Sequence, residues 1–160
     1  VGGVGTEATV QSGMYTKVIQ GMNPKIEVIE KACPLFVPLV EEGFKEHIVT
    51  KQIIEYYLES MRNTDIDAMI LGCTHYPLIR STIRKVMGDK VNLVNPAYET
   101  AIELKNLLER DNLANKCDVD SPSSMYRFYV SDAEEKFKLF ANSILPFDIT
   151  MTKQINIENY

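Results

Sequence analysis

A thiol, a hydroxyl and an imidazole follow one another at Cys73, Thr74 and His75. A thiolate is both a strong nucleophile and a competent base. A free cysteine has a pKa of about 8.5, so it works near neutrality only where a cation or hydrogen bonds favour the thiolate. His75, two residues on, can supply that help or move the proton itself. Thr74 offers a hydroxyl and a backbone N–H to a substrate carboxylate, and a helix beginning just after it adds favourable electrostatics for an anion. The plain alternative for Cys73 is a buried core thiol, because free cysteine is among the most buried residue types. For His75 it is a surface histidine at a turn. The position of His75 beside Cys73 favours function for the histidine.

These residues need a scaffold, and the flanking sequence provides one. The apolar run Ile66–Leu71 reads as a buried strand, and a helix is expected over Pro77–Met87, stopped by Gly88. The reactive residues then sit in a strand-to-helix turn, where open α/β sheets bind their ligands. Upstream, residues 1–5 suggest a short strand, and Thr6 is a plausible N-cap for a helix over Glu7–Met22, broken by Asn23-Pro24. Ile26–Ala32 alternates apolar and charged, the mark of a strand wet on one side. Cys33-Pro34 begins a turn, and 35–40 is a short helix or an irregular apolar segment. Ile48–Met61 carries Ile53, Ile54, Tyr57, Leu58 and Met61 along one helical stripe. Val91–Val94 reads as a strand, and Pro96 opens a helix to about Arg110. After a polar stretch, 111–124, a strand at Tyr126–Val130 and a helix at Ala133–Ile144, capped by Ser131 or Asp132, are expected. One or two edge strands fit the tail, 148–157.

Strands alternating with helices predict an α/β fold, a Rossmann-like, mostly parallel sheet with helices on both faces. Residues 1–95 form the main unit, 96–125 a helix and polar linker, and 126–160 a segment too small to bury a full core alone.

Composition narrows the function. The 160 residues are 45% hydrophobic with a net charge of -5, and no basic stripe supports nucleic-acid binding. No apolar segment approaches the roughly 20 residues that span a bilayer, so no membrane partner is expected. Cys33, Cys73 and Cys117 form no metal pattern and no even disulfide set, which fits a reducing cytoplasm. His47, at a charged helix start, reads as solvent-facing.

Leu71-Gly72-Cys73-Thr74-His75-Tyr76-Pro77 resembles the second-half cysteine motif of glutamate racemases. A second block, Ala32-Cys33-Pro34-Leu35-Phe36-Val37-Pro38-Leu39-Val40-Glu41-Glu42-Gly43, is similar to another segment of that family. There the acidic residue after the apolar run supports acid/base chemistry, and it maps to Glu41; an ordinary exposed carboxylate is the plainer reading. Gly5-Thr6 resembles the family's Gly-Thr at a strand end, whose threonine helps bind substrate. Asn95–Ala101 sits where the family crosses back between domains and is taken as structural, as is Cys33.

The resemblance implies a pseudo-symmetric, two-domain enzyme that needs no cofactor and interconverts L- and D-glutamate for peptidoglycan. Two thiols on opposite faces of the α-carbon do the work. It assigns Cys73, His75 and Glu41 to catalysis, and Thr74, His75 and Thr6 to substrate binding. The family's first-domain motifs (Asp-Ser-Gly, Tyr-Gly and the Cys-Asn-Thr-Ala that carries the partner thiol) are absent, and the chain starts as if in mid-sheet. It is therefore expected to be a C-terminal fragment, inactive alone, with exposed apolar surface that favours a homodimer. Gly3, where the family has a bulky aliphatic, weakens the first strand. An aspartate racemase is the near alternative, although that family usually has Glu where His75 stands. Acyl transfer by Cys73 and His75 is a different enzyme class, for which no third orienting residue or oxyanion motif is evident. A non-catalytic interaction domain, using the 35–40 segment as its surface, is a third.

Overall fold

The computed structural model describes residues 1–115 and 126–159. Cys117 and most of the expected linker, 116–124, lie outside the described residues. The chain divides into two compact units, Val1–Leu113 and Ala114–Tyr160.

In the first unit a four-stranded sheet has the order β2-β1-β3-β4, with every pairing parallel. Its strands are β1 (Gly2–Gly5), β2 (Ile29–Ala32), β3 (Ala68–Gly72) and β4 (Asn92–Val94). The helices are α1 (Glu7–Ser12), α2 (Met14–Met22), α3 (Phe36–Glu41), α4 (Ile48–Arg62), α5 (Arg80–Met87) and α6 (Pro96–Arg110). Strand pleating sends alternate residues to opposite faces. Gly2 backs onto Met61 of α4, whereas Gly5 backs onto Thr9 of α1 and Gly72 onto Tyr15 of α2. Helices therefore cover both faces. The α4 face holds the deeper core: Val4, Met69, Leu71 and Leu93 of the sheet are buried, as are Ile54, Leu58 and Met61 of α4 and Ile83 of α5.

Among the differences from the expectation, four have a visible local cause. The helix expected over Glu7–Met22 is two helices, because Gly13 adopts φ 58°, a left-handed conformation that glycine accepts without a Cβ penalty. Ser12 secures the break by donating to the Thr9 carbonyl and accepting from the Met14 N–H. The strand expected from Ile26 starts only at Ile29, since Asn23 folds back to accept from the Lys25 N–H in a turn. The helix expected from Pro77 opens as a 3₁₀ segment, Tyr76–Ile79, before α5 begins. In the second unit, α7 (Glu134–Asn142) begins after Ala133, whose φ of 51° bends the chain while Asp132 accepts its N–H.

That second unit pairs β5 (Phe128–Val130) with β6 (Thr152–Gln154) in parallel and packs α7 over them. Ala141 and Ile149 are its buried centre. The Thr152 hydroxyl donates to Glu134 at 2.6 Å, and the Ile149 N–H to Asn142 at 2.9 Å.

Candidate active site

The sheet places the candidate residues by register. Gly5 of β1 sits level with Ala32 of β2 and Gly72 of β3. The next residue of each strand, Thr6, Cys33 and Cys73, therefore leaves the sheet at its carboxyl edge, where one residue step separates strand from loop. Close backbone approach requires small residues here. A Cβ on Gly72 would come within 2.8 Å of Tyr15 and 2.9 Å of the Val4 carbonyl.

The turn after β3 is held by its own backbone: the Cys73 N–H donates to Leu71, the Tyr76 N–H to Cys73 and the Leu78 N–H to His75. Within it, Cys73 Sγ lies 3.9 Å and Thr74 Oγ1 3.3 Å from His75 Nδ1. On the other side of the ring, His75 Nε2 lies 3.5 Å from Glu41 Oε1, at the last position of α3. The imidazole thus stands between a thiol and a carboxylate. Cys73 is half-buried, a setting in which a thiol can meet a small molecule.

Cys73 and Thr74 also line a cavity of about 530 Å³. Tyr15 and the first turns of α6, with Asn95, Pro96, Ala97 and Thr100, complete its wall. The α6 residues had been read only as structural. Their role in the wall has no local signature, because it depends on where β4 delivers the helix. Asn95 caps that helix by accepting the Ala97 and Tyr98 N–H groups.

The remaining candidates stand as follows. Thr6 caps α1, accepting the Thr9 N–H at 3.3 Å, with its hydroxyl 3.0 Å from that of Thr9. His47 is exposed and caps α4 by accepting the Val49 N–H. Cys33 is fully buried, and desolvation pushes its thiol up to about 12 against a small opposing effect of Lys31, so it is no base at neutral pH. The acyl-transfer reading lacked a third orienting group in the sequence, and the fold brings Glu41 into that position. Among the described residues no cluster of His, Cys, Asp or Glu could hold a metal ion. Nor is any of their helices long and apolar enough to cross a membrane.

No family model matches the chain. Curated relatives do. A glutamate racemase of Chlorobaculum parvum is 39% identical over 150 residues, covering 91% of this chain and 54% of its own length. Glutamate racemase 2 of Caldanaerobacter subterraneus is 39% identical over 160 residues, covering 100% of this chain and 59% of its own. The chain is similar to the glutamate racemases. It spans about half the length of these curated members. Solved racemase structures share its fold. The Francisella tularensis glutamate racemase, solved in complex with D-glutamate, has a TM-score of 0.88 at 33% identity, over 99% of this chain and 58% of that one. The Thermus thermophilus glutamate racemase, in complex with β-chloro-D-alanine, has a TM-score of 0.83 at 32% identity, over 99% and 57%. The relatives are thus amino-acid racemases by name, and the shared fold is the parallel α/β sheet.

Proposed function

We propose that this chain forms one wall of a cofactor-independent glutamate racemase active site. The observation that carries the reading is the placement of His75 between the Cys73 thiol and the Glu41 carboxylate, at the carboxyl edge of the sheet and beside an open cavity. In the forward direction the Cys73 thiolate removes the α-proton of L-glutamate. The carbanion then takes a proton from a second thiol on the opposite face, which gives D-glutamate and leaves the two cysteines in exchanged protonation states. His75 favours the Cys73 thiolate and passes protons, and Glu41 orients the ring. Thr74, with its backbone N–H, and Thr6 hold the substrate carboxylates.

The second thiol comes from outside these residues, in a domain preceding Val1, so the chain by itself is inactive. Residues 126–159 return to that domain. The D-glutamate serves peptidoglycan synthesis in the cytoplasm, and the enzyme is a homodimer. In the complete enzyme, Cys73→Ala should lower α-proton exchange from L-glutamate in D2O by about a hundredfold or more. Exchange at the wild-type rate in that variant would remove Cys73 from the mechanism.

Glu41 also gives the acyl-transfer reading its missing third group. The two are separated by incubation with an excess of an activated ester, because an acyl-transfer enzyme turns the ester over and regenerates its thiol, whereas a racemase base is acylated at most once.

A further inference from the structure

Glu41 and His75 belong to different elements, α3 and the turn after β3, and their contact is between partly exposed side chains at 3.5 Å. Exposed pairs of this kind contribute little and do not hold two elements in register. A stronger tie lies beneath them. Tyr76 follows His75 directly, yet its side chain is fully buried. Its hydroxyl donates to the Cys33 carbonyl at 2.8 Å, joining turns 43 residues apart. That same carbonyl accepts the Phe36 N–H at 3.1 Å and so sits at the start of α3. The Phe36 ring meets the Tyr76 ring edge-on at 5.0 Å, and Tyr57 of α4 backs Phe36 at 5.6 Å. A buried hydrogen bond and a buried aromatic pair thus clamp the beginning of α3 to the residue after His75.

We propose that Tyr76 is a positioning residue: its hydroxyl, by holding the Cys33 carbonyl, fixes α3 against the Cys73–His75 turn and so keeps Glu41 on His75. Burial pushes the phenol well above its usual range, with smaller contributions from Cys33 and Cys73, so it remains a neutral donor at physiological pH. The proposal rests on the reading that His75 and Glu41 serve Cys73, but it is testable without racemase activity. Near neutral pH the thiolate fraction of Cys73 sets its rate of alkylation by iodoacetamide. Cys33, buried and protonated, is an internal control for core opening.

The experiment compares the wild-type chain with Tyr76→Phe, Glu41→Gln and the double variant, reading Cys73 and Cys33 separately by peptide mass. Tyr76→Phe should slow Cys73 alkylation about threefold to tenfold, Glu41→Gln should do likewise, and the double variant should be no slower than the slower single, as for coupled residues. Cys33 should stay unlabelled throughout. A Tyr76→Phe rate equal to wild type, or effects that multiply, would overturn the proposal. Should Tyr76→Phe open the core, seen as Cys33 labelling, the four proteins are compared again in sucrose, which strengthens burial, until Cys33 is protected, and the same coupling or its absence decides. Glutamate α-proton exchange by the complete enzyme is read in parallel. Coupling at Cys73 with no exchange would overturn the racemase reading and leave the clamp standing.

Discussion

The two described cysteines show how one residue type takes opposite roles a strand apart. Both follow the last residue of a parallel strand, but Cys33 turns into the core under Tyr76 and Phe36, while Cys73 opens onto a cavity. Burial favours the neutral thiol, so the folded-state pKa of Cys33 lies above its ordinary value of 9.0, at about 12. Its contribution to stability is complete below about pH 9 and is lost as pH rises toward 12. Denaturant unfolding between those values should show wild-type stability falling with pH, and Cys33→Ala should fall less steeply. Parallel slopes would mean the thiol is not desolvated as described. The proximity of Cys73 and His75 was readable from adjacency, since two residues in one turn lie close together. The Glu41 contact was not readable from spacing; only the family resemblance pointed to that residue. The contribution of Tyr76 lay hidden inside a motif read for its cysteine and histidine.

Among the elements, those with strong periodicity or clear punctuation were the legible ones. β3, expected over Ile66–Leu71 and observed over Ala68–Gly72, ends where the polar residues begin, and α4 keeps its stripe, with Ile54, Leu58 and Met61 buried. The break at Gly13 was missed because glycine inside a helical pattern is often tolerated, and the Ser12 side chain that secures it, donating to the Thr9 carbonyl, acts only once the turn exists. Gly3 was read as a weakness of β1, and a Cβ there would meet only the Glu30 side chain of β2. Gly2 and Gly5 beside it are where helices press closest, with Met61 within 2.9 Å of a Cβ on Gly2 and Thr9 within 2.9 Å of one on Gly5. Gly72 is the sharpest case, because one of its neighbours is backbone and cannot step aside. Gly72→Ala should cost about 1–3 kcal/mol in chemical denaturation and loosen the Cys73 turn with it. Unchanged stability would show that Tyr15 and β1 yield more readily than close packing allows.

At the scale of the molecule, the first unit leaves much apolar surface uncovered. Tyr98, Ile102, Leu104 and Leu107 are exposed along α6, which buries none of its residues, and Leu35, Phe44 and Val49 are exposed around α3 and α4. Large apolar patches mark interaction surfaces. The isolated chain should therefore associate, its size-exclusion mass rising above 18.2 kDa with concentration; a monomer at every concentration would contradict the proposed homodimer. Composition and alternation were enough to read the sheet class, whereas this uncovered surface depends on which helix faces find a partner, and a single sequence does not record that. The central claim is that Cys73 is one of two bases and that the other lies outside these residues. Its most direct test is deuterium incorporation at Cα of L-glutamate in D2O, measured for the 160-residue chain alone and for the complete enzyme. Incorporation is expected with the complete enzyme, lost in Cys73→Ala, and none with the chain alone. Incorporation by the chain alone would contradict the two-base reading.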